Sequence, residues 1–483
     1  MNLTRREFLR LSGSGALVSV LSASCSLRND PTSAPNIVLC VSDDQGWGDM
    51  AFNGHPVLQT PNFDAMARES LRFDRFYAAA PVCSPTRGSI LTGRHPNRYG
   101  CFRWGHPLRP QEITLAEALK TVGYVTGHFG KWHLGSVERI SPVSPGASGF
   151  DEWLSAPNFF DNDPILSREG TAVPTTGESS VVTAEAAIDF IRRHARSSRP
   201  FLAVVWFGSP HSPHRAMEGD RLPYSSQEEA LQHFYGEITG MDRAFGMLRQ
   251  EISDLGIREN TILWFSSDNG GLPDLGRTGG RGHKGQIYEG GLRIPSMLEW
   301  PARISRARAT AVPAVTSDMY PTLLEIAGVA RSDQPPLDGL SLMPLIEGQM
   351  RERPKPIGFW QYPEDGILVP SAEWMAELLE EQRTDPGSVP DPARLYADAG
   401  DLSRKYPEDV FPGHAAWLDW PWKLHRIENE TGDVVFELYD LESDPDETDN
   451  LLSARTTKAE AMAAELSTWQ RSVLQSLNGQ DYS

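Results

Sequence analysis

The chain reads as an α/β protein. The expected architecture is a doubly wound, mostly parallel sheet with helices on both faces, plus a small C-terminal α+β subdomain with an antiparallel sheet. Three observations predict it. Continuous apolar runs recur, each ending in a polar cluster, as strands buried on both faces of a parallel sheet do. Helical patterns lie between these runs, and strands alternating with helices imply a doubly wound sheet. After about residue 350 the texture changes to a loop-rich stretch and short apolar segments. A length of 483 residues is ample for one large core plus a smaller one.

Residues 1–30 read as an export signal. Thr4-Arg5-Arg6-Glu7-Phe8-Leu9 is a twin-arginine pattern, which makes the twin-arginine translocase an expected partner. The apolar stretch 11–24 is too short to span a membrane and suits the core of a signal peptide. Cys25 follows Leu21-Ser22-Ala23-Ser24, a loose lipobox, so lipid anchoring at Cys25 and cleavage nearby both stay open. The expected product is exported: periplasmic, lipid-anchored at a membrane surface, or secreted. Residues 26–35, with Asn29, Asp30, Pro31 and Pro35, read as a linker.

The main domain is expected over 36–355. Asn36-Ile37-Val38-Leu39-Cys40-Val41-Ser42 is the first strand and ends in Asp43-Asp44-Gln45-Gly46. A helix is predicted from residue 83. Pro85 suits its first turn, because proline has a helical φ and its missing N–H would be unpaired there anyway. Thr86 to Leu91 continue it. Residue 83 then sits at a helix N-terminus, where N–H groups and the dipole favour an anion. A helix over 113–122 precedes the strand Gly123-Tyr124-Val125-Thr126-Gly127, which leads into Gly130-Lys131-Trp132-His133. A helix over 182–196 precedes the strand from Phe201 to Phe207, which ends in Ser209-Pro210-His211. A helix over 228–255 precedes the strand from Thr261 to Ser266, which ends in Ser267-Asp268-Asn269-Gly270.

The C-terminal subdomain is expected over 356–483. It contains an insertion at about 361–416, rich in Pro, Asp and Glu, with one helix at 373–383. Strands at 422–427 and 436–441 and a terminal helix at 457–477 complete it.

In doubly wound sheets, ligands bind beyond the carboxyl ends of the strands. Four separate polar clusters occupy those ends here. Asp43-Asp44 and Asp268-Asn269 supply three carboxylates and one amide oxygen. One such pair alone would read as a turn. Two pairs at the ends of two core strands favour a hard cation, Ca²⁺ or Mg²⁺. A formal net charge of −19 argues against a nucleic-acid partner. It also means that an anionic substrate must be drawn by a local cationic pocket. The four cysteines, Cys25, Cys40, Cys83 and Cys101, make no disulfide framework in a chain this long. Cys40 reads as core and Cys101 has no assigned role. There is no internal repeat and no long low-complexity tract.

One motif is demanding: Cys83-Ser84-Pro85-Thr86-Arg87 followed by Leu91-Thr92-Gly93-Arg94. Three more follow: Gly130-Lys131-Trp132-His133-Leu134-Gly135, Ser209-Pro210-His211-Ser212-Pro213-His214 and Gly282-His283-Lys284-Gly285. The last precedes Tyr288-Glu289-Gly290-Gly291-Leu292-Arg293-Ile294-Pro295. Together they resemble the type I, formylglycine-dependent sulfatases of the alkaline phosphatase superfamily. The resemblance spans about 36–345, and 420–452 more weakly. Within the family the chain looks like the exported bacterial arylsulfatases and the N-acetylgalactosamine-6-sulfatase-like enzymes. Thr86 departs from the serine of many relatives, while Pro85 and Arg87 are kept.

The resemblance implies an alkaline-phosphatase-like fold and a sulfuric ester hydrolase. It implies that Cys83 is a precursor, converted to Cα-formylglycine by a formylglycine-generating or anaerobic sulfatase-maturing enzyme. The hydrated aldehyde would be the nucleophile. One Ca²⁺ would be held by Asp43, Asp44, Asp268, Asn269 and residue 83; ligand chemistry alone also admits Mg²⁺. Arg87 and Lys131 would stabilise the diol and hold sulfate. His211 and Lys284 would bind sulfate and protonate the departing oxygen. His133 would take the proton that lets sulfate leave by elimination. Lys131 and His133, as alternate residues of an extended segment, are expected to face one pocket.

The expected substrate is a sulfated glycan or an aryl sulfate, since the many tryptophans can pack on sugar rings. Trp104, His106, Arg103 and the region around His414 and Trp417 are the candidate sugar pocket. His214 is a candidate substrate contact, His283 a supporting residue and His128 a packing histidine. Two other functions fit the same residues. One is a phosphonate monoester or phosphodiester hydrolase on the same fold. The other is an inactive exported glycan-binding protein, should Cys83 stay unconverted.

Overall fold

Strand β1 (Asn36–Ser42) forms where the apolar run predicts it, and its alternation explains the layers. Ile37, Leu39 and Val41 enter one core and Val38 and Cys40 the other, so the strand is covered on both faces. The structure, a computed structural model, describes residues 34–385 and 391–482. The expected signal at 1–30, including Cys25, lies outside the described residues.

In chain order the elements that matter are β2 (Leu71–Tyr77), α1 (Cys83–Thr92), α2 (Leu115–Lys120), β3 (Val125–Lys131) and β4 (Glu152–Ala156). Next come β5 (Ile165–Arg168), β6 (Thr171–Pro174), α3 (Ser179–His194), β7 (Phe201–Trp206), α4 (Glu229–Asp254) and β8 (Thr261–Ser267). They are followed by α5 (Glu289–Leu292), β9 (Arg293–Glu299), β10 (Arg308–Thr310) and β11 (Ala314–Val315). The large sheet has the order β10-β2-β9-β8-β1-β7-β3-β4-β5-β6, with β11 also on β2. Its centre, β8-β1-β7-β3-β4, is parallel throughout. β9 runs antiparallel to β2 and β8, and β5 and β6 add an antiparallel edge.

Helices cover both faces. Ile90 and Leu91 of α1 and Leu115, Ala118 and Leu119 of α2 join the first core. Ala187, Ile188 and Ile191 of α3 and Phe234, Ile238, Met241 and Phe245 of α4 join the second. The spacings in α3 and α4 are those of an amphipathic helix.

A separate sheet has the order β12 (Ile357–Gln361), β13 (His414–Asp419), β14 (Trp422–Glu428) and β15 (Val434–Asp440), all antiparallel. Two of these strands differ from expectation. β12 and β13 flank the inserted region and pair with each other, so the excursion runs over 362–413 and leaves and rejoins one small sheet. Helix α6 (Ser371–Thr384) starts two residues earlier than predicted. α7 (Thr456–Leu477) packs Met462, Leu466, Val473 and Leu474 into a third core with Trp360, Trp417 and Leu424. Both sheets lie within one compact unit that begins at Ala34.

Candidate active site

The parallel registers bring four strand ends level. Ser42 lies opposite Ser267, Val41 opposite Trp206, and Trp206 opposite Gly130. Beyond those ends stand Asp43-Asp44, Asp268-Asn269, Ser209 to His211, and Lys131 to His133. The end loops interlock through the backbone. Asp43 N donates to Ser209 O at 3.0 Å and Asp268 N to Ser42 O at 3.1 Å. Asp44 N donates to Asp268 Oδ1 at 3.1 Å.

Three carboxylates and three cations interleave there. Lys131 Nζ reaches Asp43 Oδ2 at 2.6 Å. Arg87 donates through Nε and Nη2 to Asp268 Oδ2 at 3.0 and 2.7 Å, and Nη2 lies 3.8 Å from Asp43 Oδ1. Lys284 Nζ reaches Asp44 Oδ2 at 2.7 Å. His211 Nε2 stands 3.8 Å from that same oxygen, and its ring stacks on Phe159 at 4.4 Å. Lys284 is carried by a tight loop ahead of α5, fixed by Lys284 N to Gly271 O and Gly285 N to Pro81 O.

Cys83 is the first residue of α1, and no side chain caps that helix. Its thiol is 1% exposed. Burial pushes the thiol up from its ordinary value, against the pull of Lys131 and Lys284. Burial works to raise Asp43, but Lys131, His211 and Arg87 hold it below the ordinary carboxylate range. Asp44 is likewise lowered against burial, chiefly by Lys284 and His211. Asp268 is raised by burial and by Asp43, with Arg87 opposing. Burial lowers His211 to about 4, although Asp44 and Asp43 pull it up.

The atoms left over by these pairs bear on a cation. Asp43 Oδ1 and Asn269 Oδ1 are buried acceptors with no hydrogen-bond partner, an arrangement that costs stability unless something else supplies positive charge. Asp43, Cys83 and Asp268 each bring a ligand atom within 4.8 Å of the others, as do Asp43, Asp44 and His211. The two groups share Asp43, so among the described residues they define one centre. Carboxylate and amide oxygens at this density fit a hard divalent cation.

His133 departs from expectation. β3 runs to Lys131, but His133 has φ +54°, so the two side chains are not alternate members of one extended segment. Upstream, Gly130 takes φ +98° and sits where a Cβ would meet Trp206 O at 1.9 Å, so that position requires glycine. The bend still leaves His133 within electrostatic reach of Lys131, Arg87 and Asp43. Both its ring nitrogens are buried without a partner. His128 is a packing residue, bonded to Ser155 Oγ at 2.8 Å and set edge-on to Trp132 and Trp206.

The candidate sugar pocket is redrawn. Trp417 is 8% exposed and donates to Glu465 at 3.0 Å in the third core, so its ring cannot meet a sugar. His414 bonds His425 at 2.9 Å within the small sheet. His106 is tied at Nε2 to Asp365 O at 2.7 Å. His214 lies 3.5 Å from Glu237 of α4 and edge-on to Phe234, on the α4 side of the loop. His283 bonds Lys284 O at 2.8 Å, which supports that loop.

The insertion supplies what sequence reasoning missed. Ile367 N donates to Trp104 O at 2.9 Å, and Asn158 Nδ2 donates to Val369 O at 3.2 Å. Residues 364–371 thus run from the Trp104 loop to the loop carrying Phe159. Gly105 N donates to Ser84 Oγ at 2.9 Å, so the Trp104 loop is fastened beside residue 83.

A buried cysteine at a helix start, three interleaved cations and a cluster of carboxylates at parallel strand ends make a site suited to an anionic ester. The Sulfatase family model matches residues 35–329. N-acetylgalactosamine-6-sulfatase of Canis lupus familiaris is 34% identical over 379 residues, covering 70% of this chain and 71% of that protein. Arylsulfatase A of Homo sapiens is 31% identical over 466 residues, covering 86% and 83%. The crystal structure of Ps i-CgsB in complex with k-i-k-neocarrahexaose matches with a TM-score of 0.76 at 22% identity, covering 92% of this chain and 94% of that one, which shows the fold. The chain belongs to the alkaline-phosphatase-like sulfatase family and is a sulfuric ester hydrolase.

Proposed function

We propose that this sulfatase removes sulfate from a sulfated carbohydrate, with residue 83 matured to Cα-formylglycine and Ca²⁺ held by Asp43, Asp44, Asp268 and Asn269. The observation that carries the reading is the meeting of Cys83, Asp43 and Asp268 within 4.8 Å, beside Arg87, Lys131 and Lys284. A thiol this buried is poorly suited to act as a thiol. When present, the ion and the hydrated aldehyde supply charge neutralisation and a nucleophile for sulfur.

The chain's own side chains do the rest. Arg87, oriented by Asp268, and Lys131, oriented by Asp43, hold the sulfate oxygens against residue 83. Lys284 and His211 both border Asp44 and attend the leaving oxygen, which takes up one proton from this pair. Phe159 keeps the His211 ring oriented. His133, with both nitrogens uncommitted, takes the proton at the residue-83 oxygen as sulfate departs. The dog relative is by name a sulfatase of an N-acetylated amino sugar, which supports a sugar substrate. Arg5 and Arg6 support export through the twin-arginine translocase to the periplasm or a membrane surface.

The test is a mass spectrum of the tryptic peptide 76–87 from active enzyme. An aldehyde at 83, trapped by a carbonyl reagent, is expected. An ordinary alkylatable cysteine in protein that turns over 4-nitrophenyl sulfate would overturn the reading.

A further inference from the structure

The cations at the sulfate end are all committed: Arg87 to Asp268, Lys131 to Asp43 and Lys284 to Asp44. Arg103 is different. It is half-buried, and among the described residues its guanidinium makes no hydrogen bond and no ion pair; its Nε is buried without a partner. Its contact is the Trp104 ring, 4.9 Å from the guanidinium carbon. Burial pushes the guanidinium down from the ordinary arginine range, and the exposed Asp365 opposes this. A partly desolvated charge met, among the described residues, only by a ring face and the exposed Asp365, with no hydrogen bond, is costly to keep, so its retention in the loop fastened beside residue 83 calls for a ligand.

Its position is fixed from two sides. Gly105 N is bonded to Ser84, the residue after Cys83. Trp104 O accepts from Ile367 N in the insertion. At Gly105, with φ +77°, a Cβ would meet Ile367 O at 2.0 Å, so the insertion and this loop are pressed together. Trp104 is 41% exposed, and Ile367 and Leu368 are exposed beside it. The loop fastened beside residue 83 therefore presents a cation next to exposed apolar side chains.

We propose that Arg103 is a second anion subsite. Resting on the sulfatase reading above, it takes a further carboxylate or sulfate of the sugar whose ester sulfate lies at residue 83. The planar guanidinium pairs two oxygens of such a group at once, and Trp104 holds it in place. The substrate class is then a polyanionic glycan, uronate-bearing or multiply sulfated. Arg215, whose backbone N–H is anchored on Glu237, does not qualify: Asp161 at 3.2 Å already pairs with its side chain.

The experiment compares three disaccharides: one with a single sulfate and no other charge, one adding a uronate carboxylate, and one adding a second sulfate. The quantity read is the ratio of kcat/KM on a doubly charged sugar to that on the singly charged one. Arg103→Gln is expected to lower this ratio about tenfold, mostly through KM. Arg103→Lys should recover part of it. Arg215→Gln should leave it within about twofold. Whichever doubly charged sugar shows the drop identifies the group bound. An unchanged ratio in Arg103→Gln, or an equal fall in Arg215→Gln, overturns the proposal. Wild-type enzyme inactive on all three sugars and on aryl sulfate would instead overturn the sulfatase reading, and the subsite with it.

Discussion

The protein buries two clusters of charge, and they are built in opposite ways. One is the active site. The other joins the small sheet to the loop that carries Lys284. There Lys423 Nζ lies 3.0 Å from both Glu289 Oε1 and Glu447 Oε1. His425 Nε2 meets Glu447 Oε1 at 2.7 Å, and Tyr77 OH donates to Glu289 Oε2 at 3.1 Å. Glu289 N donates to Glu447 Oε2 at 2.8 Å. None of these side chains leaves a buried polar atom unpaired, whereas the active site leaves Asp43 Oδ1, Asn269 Oδ1 and both nitrogens of His133. A closed network rigidifies, while an open one keeps capacity for what binds. The same residue types thus do structural work in one place and chemical work in the other.

Three experiments sharpen or break this contrast. Cys83→Ala should lower kcat on aryl sulfate at least a thousandfold, about 4 kcal/mol of barrier, while the melting temperature hardly moves. A variant that melts early would make residue 83 part of the frame. Glu447→Gln should lower the unfolding free energy in urea by about 3 kcal/mol, because it leaves Lys423 and His425 short of a buried partner. Loss of activity at unchanged stability would mean that the junction is tuned for chemistry. Chelation should lower both activity and stability, and Ca²⁺ at a hundredfold its Kd should restore about 2.7 kcal/mol. Full activity in metal-free protein would remove the cation from the open cluster.

What the sequence showed and what it hid divide along a physical line. Asp43-Asp44 and Asp268-Asn269 were readable because each pair directly follows an apolar run, and strand direction sends those ends to one edge; Lys131 and His211 were readable through their motifs at the ends of neighbouring strands. The α3 and α4 helices were readable from their periodicity. Trp417 was not: a tryptophan in a short strand has the same spacing whether it faces a core or a sugar, and only Glu465 and Trp469 decide it. The extended segment expected through His133 was misjudged because its backbone takes the left-handed region where glycine is the default residue, and a histidine does not announce that conformation. Outside its one helix the insertion gave no periodic signal, so its bonds to Trp104 and Asn158 could not be foreseen. Phe159 lies in a loop with no motif, and its stacking on His211 is purely a matter of tertiary structure.

The order of the large sheet is also a clock. Arg87 and its partner Asp268 are separated by 181 positions. At about 5–20 residues per second of synthesis, a chain that has just produced Cys83 waits roughly 10–40 s for that partner to exist. Until then the carboxylate cluster and its central strands are incomplete, and the cysteine that will end 1% exposed has nothing to close over it. Under the proposed maturation, the modifying enzyme would meet an open substrate during that interval and a sealed one afterwards. If residue 83 is matured as proposed, the stretch of chain between α1 and β8 would set how long it stays open to that enzyme.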